Sequence, residues 1–389
     1  MSAFIERIDR EITLEKMIQR RGRSKWHRND PDVIPFMLAD TDYPVPKEIE
    51  EAAMGAIKDQ CWNYSWFPES LEAMAETVRT KHGIADATVD DLLVTPGVSP
   101  CIKLSAIYAC KPGDEIVVTS AMYPPFLRAV EFVRAKPLYH ELRQEDNWKF
   151  DIDELNELIT HKTRLIYVCN PHNPTGRVMT KEELKGIGDI GVDNNLLVAS
   201  DELHSDIVFD GRKHISISSL GPEIADRTIS MFGLSKTFGL AGLQIGWLVS
   251  TNKLIMDDIR KIAYGLIRGT SSVSLAVAHA VLTKCQPYIK PLVNYMQDLR
   301  DIGFERLNSI EGVKVTKPEG TYVFWPNISS YGLSSTEMTK HLMEEGRVAV
   351  TNGANYGPGG EGHVRIVYPT SKAIFTEGFD RLEAALAKL

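Results

Sequence analysis

Lys236 is the residue whose surroundings say most about chemistry. It lies in the stretch TISMFGLSKTFGLAGLQIGWLV, from Thr228 to Val249. The apolar residues Ile229, Met231 and Phe232 read as a buried strand that stops at Gly233, and a second apolar segment, Ile245 to Val249, follows a glycine-rich loop. Between them stands one cation, flanked by the hydroxyls of Ser235 and Thr237. A lysine held against other backbone is partly desolvated, which favours its neutral amine. Only that form attacks a carbonyl carbon, as a Schiff-base lysine must. Taken alone, the stretch also reads as the mouth of a phosphate loop or as a surface turn.

Other polar residues fall at comparable places. Asp201 closes the apolar run LLVAS; it is a cap or turn residue by type, and buried beside a heteroaromatic nitrogen it would keep that nitrogen protonated. Asn173, in NPHNPTG, is a turn residue by type whose amide could donate to a phenolate oxygen. Gly97, Val98 and Ser99 open a helix, a ready anion site, and Ser235 adds a hydroxyl. Together these residues describe a pocket for a phosphorylated pyridine aldehyde.

The elements that must position them follow a strand-then-helix rhythm from about Asp90: strands over DLLVT, DEIVVTS, Lys136 to Glu141, TRLIYVC and NNLLVAS, with helices over Val98 to Cys110, Pro124 to Arg134, DIDELNELI and from TKEE towards Gly191. Such alternation means an α/β fold with a mostly parallel central sheet covered by helices on both faces, whose ligands bind at the carboxyl ends of strands. After Asn252 the pattern is helical to about Ser309, and a mixed tail follows: a hairpin over VKVTKPEGTYVFWPNI, a helix over STEMTKHLMEEG, short strands in VAVTNG and HVRIVYP, and a final helix from Ser371. The expected division is an N-terminal arm over 1–44, a large cofactor-binding domain over 45–284 and a smaller α+β domain over 285–389. In the arm, Ile5 to Gln19 suits one amphipathic helix; a helix from Lys47 to Lys58 and an aromatic segment, CWNYSWFPES, follow it.

Composition narrows the function. A chain of 389 residues with 43% hydrophobic and 25% charged residues suits a two-domain globular enzyme. A net charge of −8 without a long basic run argues against nucleic acid as a partner. No apolar run is long enough for a membrane span, and the charged N-terminal stretch does not read as a secretory leader. Five scattered cysteines (Cys61, Cys101, Cys110, Cys169, Cys285) suggest a reduced, cytoplasmic protein with neither a disulfide framework nor a zinc site. One GxGxxG occurs, Gly186 to Gly191, but it lies late in a helix instead of opening one, so it is no dinucleotide site. No Walker lysine, HExxH or GxSxG motif supports nucleotide or hydrolytic chemistry.

NPHNPTG, then SDE with Asp201 28 residues beyond Asn173, then SKTFGLAGL with Lys236 35 residues beyond Asp201, resembles the fold-type I pyridoxal-phosphate (PLP) enzymes of the aminotransferase class I/II superfamily. RSKWHRND, MLADTDYPVP, MYPPF, the histidine of NPHNP and DELHSDIVFDGRKHISISSL are similar to the MalY/PatB-type cystathionine β-lyases. The resemblance implies that Lys236 carries the cofactor aldehyde, Asp201 pairs with the pyridine nitrogen, Asn173 contacts the phenolate oxygen and Tyr123 stacks on the ring. It places Val98, Ser99 and Ser235 on the phosphate and His204 beside the cofactor. Ala39 would pass over the substrate, with Arg365 and Asn173 on the substrate side and Arg365 clamping the α-carboxylate. Tyr64 would reach the partner subunit's phosphate, implying a homodimer with shared sites; the other partner is a small amino acid. No residue is assigned to a metal.

Within that resemblance the reaction divides. His204 stands where many aminotransferases carry a tyrosine, which points to the lyase-like group. Gln244 replaces a frequent phosphate-binding arginine, and Met37-Leu38 replaces the usual tryptophan before Ala-Asp. VAVTNGANYGPGGEGHVRI and IVYPTS, by contrast, look like ordinary aminotransferases. The expected reaction is β-elimination from a cysteine thioether, giving thiol, pyruvate and ammonia; the alternative is transamination to a 2-keto acid.

Overall fold

The computed structural model describes every residue except 1, 21, 23, 65 and 66. Ser65 and Trp66 of the aromatic segment thus lie outside the described residues. Seven strands form the central sheet: β1 (Leu92–Pro96), β2 (Glu115–Thr119), β3 (Lys136–His140), β4 (Thr163–Cys169), β5 (Leu197–Asp201), β6 (Thr228–Gly233) and β7 (Ile245–Val249). Their order across the sheet is β1-β7-β6-β5-β4-β2-β3. All pair in parallel except β7, which is antiparallel to both neighbours. The mostly parallel sheet expected from the alternation is therefore present, with one reversed strand.

Its inner strands are buried on both faces, and the period of two sorts their side chains. Ile116, Val118, Leu165, Tyr167, Leu197, Ala199, Ile229 and Met231 pack with helices Ser99–Ala109, Pro124–Phe132 and Lys253–Leu266. Val117, Ile166, Val168 and Val198 point the other way, against Leu155 of helix Ile152–Leu158 and Leu184, Ile187 and Ile190 of helix Lys181–Asp193. That last helix starts at a capping box of Thr180 and Glu183. The GxGxxG lies inside it, and its glycines serve packing: an added Cβ at Gly186 would lie 2.8 Å from Ile152 and one at Gly188 2.7 Å from Ile224.

Helices Ser272–Lys284 and Gln286–Ser309 lead away from the sheet. Beyond them Val323–Phe324, Val364–Val367 and Thr351–Asn352 make a small antiparallel sheet, while Ile34–Pro35 pairs in parallel with Val348–Ala349. The N-terminal segment thus returns to the C-terminal third of the chain.

Three details differ from the sequence reading. The arm is two helices, Ser2–Glu11 and Leu14–Gln19, because Thr13 takes an extended conformation and caps the second. The expected hairpin is reduced to the Lys314–Asn327 bridge and the two-residue strand Val323–Phe324. A helix over Pro68–Thr80 begins inside CWNYSWFPES, because Pro68 takes the first turn of the helix, where its missing N–H costs nothing; it buries Ser70, Met74, Ala75 and Val78 on one face.

Candidate active site

Asp201 is the last residue of β5, on the face already set by Leu197 and Ala199. It is buried, and it accepts a 3.0 Å hydrogen bond from the Leu203 N–H. Burial raises its pKa to about 6, while the Leu203 N–H and the charge of Lys236 pull against that rise.

Lys236 lies in the turn after β6. Glycine is needed where that strand meets its neighbours: a Cβ at Gly233 would lie 2.9 Å from the Ile245 carbonyl oxygen and 3.1 Å from Val98, and one at Gly246 2.5 Å from Gly97. The lysine Nζ donates to the Ala39 carbonyl at 2.8 Å. Burial lowers its pKa to about 8; Arg365 acts in the same direction, and Asp40 and Asp201 oppose it. The neutral-amine condition expected of this lysine is thus approached near physiological pH.

Ala39 belongs to a strap held along its length. Phe36 donates its N–H to Ala349 at 2.7 Å and accepts from Val367 at 2.8 Å, and Asp42 N–H donates to Pro369 at 3.0 Å. Lys25 reaches the Asp40 carbonyl and the Asp42 carboxylate, each at 2.9 Å, and the Trp26 indole donates to that carboxylate at 2.8 Å. The Ala39 carbonyl accepts a second bond, 3.2 Å from the Tyr322 hydroxyl.

Arg365 projects from the strand Val364–Val367 and is buried. Its Nη1 donates to Asn173 Oδ1 at 3.0 Å, its Nη2 to the Met37 carbonyl at 3.0 Å, and its plane lies 5.3 Å from the Tyr356 ring centre. Its Nε is buried without a protein partner. Tyr123 precedes helix Pro124–Phe132; burial raises its pKa, with Arg365 opposing and Asp201 reinforcing the rise. The buried His204 ring lies 5.4 Å from that of Tyr322. Its pKa falls well below the usual value through burial, then through Lys236 and Arg365, so the imidazole is neutral at physiological pH.

Val98 caps helix Ser99–Ala109 and is buried; Ser99 opens that helix on an exposed turn, and Ser235 is half-buried beside Lys236. Gln244 sits in the left-handed region at φ 51° and is exposed. Tyr64 is fully exposed, in a groove with Trp62, Tyr264 and Arg268, none of which belongs to the Lys236 group. The structure therefore gathers Lys236, Asp201, Asn173, Arg365, Ala39, Tyr123 and His204, and leaves Tyr64 apart from them. Sequence reading missed Tyr322, Tyr356 and the Met37 carbonyl; a backbone acceptor has no side-chain signature to find.

A carboxylate, a poised amine, an amide and a guanidinium with an unpartnered Nε thus lie within hydrogen-bonding or electrostatic reach of one another. The sequence matches the family described as aminotransferase class I and II over residues 36–382. The chain belongs to that family. Among class I and II relatives, it is 32% identical to an aspartate aminotransferase of Pyrococcus horikoshii over 360 residues, 91% of each chain. It is 29% identical to cystathionine beta-lyase PatB of Bacillus subtilis, over 97% of this chain and 100% of that protein. A PLP-bound candidate aminotransferase from Clostridium difficile 630 superposes with a TM-score of 0.90 at 28% identity, covering 95% of this chain and 97% of that one. The fold is that of the fold-type I PLP enzymes.

Proposed function

We propose that the chain is a PLP-dependent carbon–sulfur lyase that performs β-elimination on a cysteine thioether. The chain is an aminotransferase-superfamily enzyme, and pyridoxal phosphate is its cofactor. The residues fit that group by donor type. Asp201 supplies a buried carboxylate for a ring nitrogen, Asn173 an amide for the phenolate oxygen, and Lys236 an amine for the aldehyde. Val98, Ser99 and Ser235, around the start of a helix, suit the phosphate, and Tyr123 and His204 complete the cofactor's surroundings.

When bound, the cofactor supplies a ring that accepts electron density from the substrate Cα. The protein's part is orientation and proton movement. Arg365 offers its fork to the α-carboxylate, and Asn173 holds that fork in place. Lys236, with a pKa near 8, takes the Cα proton at Nζ and can return it. Asp201 remains a carboxylate at neutral pH despite its raised pKa and holds its charge against the ring nitrogen. With one water consumed, loss of thiolate from Cβ leads to thiol, pyruvate and ammonia.

His204 carries the choice of elimination: a neutral imidazole stands where the aminotransferase pattern has a tyrosine, within a DELHSD segment of the lyase-like type. The end-to-end similarity to PatB supports the same choice. Transamination is the second reading, favoured by the aspartate aminotransferase relative and by VRIVYPTS. The test is a product assay. Given L-cystathionine without a keto acid, the enzyme should release thiol, pyruvate and ammonia together. If alanine, aspartate or an aromatic amino acid turns over only with a keto acid acceptor, and cystathionine yields no thiol, the enzyme is an aminotransferase.

The same proposal takes in the assembly: a homodimer in which Tyr64 serves the partner's site, residues 1–44, 45–284 and 285–389 acting as arm, large domain and small domain. A cytoplasmic setting is proposed from five free cysteines. No helix among the described residues is long and apolar enough to cross a membrane.

A further inference from the structure

The turn carrying Lys236 belongs to neither a strand nor a helix, so something else must fix its backbone. Next to the lysine, the Thr237 hydroxyl donates to Asp206 Oδ2 at 2.8 Å. The other oxygen of Asp206 is taken by the Lys81 ammonium. Lys81 is the residue that closes helix Pro68–Thr80. Asp206 itself sits in the tight turn after β5, where Ser205 N–H donates to Glu202 at 3.0 Å and Ile207 N–H to His204 at 2.8 Å. The end of β5 and the turn after it thus carry Asp201 and His204 of the site, and Asp206 bonded to the lysine loop.

We propose that Asp206, fixed by Lys81, is a positioning residue that sets Lys236 through Thr237. It touches neither substrate nor cofactor. Its lever is geometric: Lys236 and Thr237 are adjacent, so anchoring the Thr237 side chain restrains the backbone from which the lysine amine reaches Ala39. The titratable groups that face Asp206 are Lys81, His82 and His214; burial lowers the pKa values of the two histidines to about 3 and about 4, so only Lys81 carries a charge near neutral pH. Burial works to raise the Asp206 pKa, but Lys81 and the Thr237 hydroxyl bring it below the usual value, so it is ionised throughout the working range.

This inference rests on the PLP reading, and the experiment separates the two. The holoenzyme's visible absorbance is titrated with pH, and kcat and KM are measured, for wild type, Thr237→Val, Thr237→Ser, Asp206→Ala and the double variant Asp206→Ala/Thr237→Val. Thr237→Val removes the hydroxyl at nearly constant shape and should lower kcat about tenfold, the loss of one hydrogen bond to a charged group, with little change in KM. It should also move the pH midpoint of the absorbance, and Thr237→Ser should restore both. The double variant should be no worse than the worse single one, because the two residues act as a unit. A merely structural role would lower thermal stability and leave midpoint and kcat unchanged. Wild-type kcat and midpoint in Thr237→Val, or losses that multiply in the double variant, overturn the proposal. If Asp206→Ala does not fold, Thr237→Val and Thr237→Ser decide it alone. A wild-type protein that gains no visible band with added PLP overturns the cofactor reading, and this one with it.

Discussion

Arg365 Nη1 and Asn173 Oδ1 are 3.0 Å apart, joining residues 192 positions distant in the chain. The contact ties the loop after β4 to the strand Val364–Val367, so the residue proposed for the substrate carboxylate and one proposed for the cofactor hold each other. Arg365 presents its Nη2 to a backbone carbonyl and keeps a buried, unpartnered Nε. A carboxylate is the ligand that would use such a fork in full.

Arg365→Lys should therefore lower kcat/KM about a hundredfold, most of it in KM, since an ammonium keeps the charge and loses the fork. Steady-state kinetics on one amino acid substrate checks this. An unchanged KM would place the carboxylate elsewhere.

The amine of Lys236 gives a prediction in pH. In the cofactor-free protein its reactivity towards an acylating reagent, followed by peptide mass spectrometry, should rise through a midpoint near pH 8. The neutral form reacts, so anything that favours the ammonium moves the midpoint up. Arg365→Leu removes a cation that disfavours it and should raise the midpoint; Asp201→Asn removes an anion that favours it and should lower the midpoint. Shifts in the opposite directions would mean that the amine does not lie between those two charges.

How much of this was legible in the sequence follows from what kind of contact each residue makes. Asp201, Asn173 and Lys236 could be placed because an apolar run followed by one polar residue marks a strand end, and a parallel sheet brings its strand ends together. Arg365 came from resemblance alone, since nothing in HVRIVYP says which way its third residue points. The Lys81–Asp206–Thr237 contact and the double acceptance at Ala39 were invisible for a different reason. They join segments far apart in sequence, and Ala39 acts through its carbonyl, which every residue has. The reversed strand β7 was hidden as well: an apolar run buried on both faces looks the same in either direction.

The buried pair of Lys25 and Asp42 makes a prediction on stability. Their side chains are 3% and 2% exposed and 2.9 Å apart. Lys25→Met removes the ammonium from the buried Asp42 carboxylate, and breaking a buried pair costs about 3–5 kcal/mol. Urea unfolding should show that loss, and Lys25→Met/Asp42→Leu should recover part of it, the remainder reflecting the orphaned indole N–H. Because this pair anchors the strap that carries Ala39, activity at low denaturant should fall before global unfolding begins. A Lys25→Met protein as stable as wild type would remove the pair from any role in holding the strap.

The last prediction concerns Tyr64. Its ring is fully exposed in this single chain, beside Trp62, which is 66% exposed, and Tyr264, which is 85% exposed. Aromatic residues so placed, in one groove with Arg268 and the start of helix Ser272–Lys284, suit contact with a second copy of the chain. If Tyr64 serves the partner's site, Lys236→Ala and Tyr64→Ala are complementary defects. Each homodimer lacks one residue in both of its sites. In a mixed dimer, one site takes Lys236 from the Tyr64→Ala chain and Tyr64 from the Lys236→Ala chain, and is whole; the other site lacks both. Random exchange of equal amounts should make about half the dimers mixed, each with one working site, so activity should return to about a quarter of the wild-type value per chain. The exchange itself is followed independently, with a mass-tagged copy of one variant and native mass spectrometry. Mixed dimers without recovered activity would assign Tyr64 to its own subunit or to no site. A chain that stays monomeric at all working concentrations would remove the shared-site reading entirely.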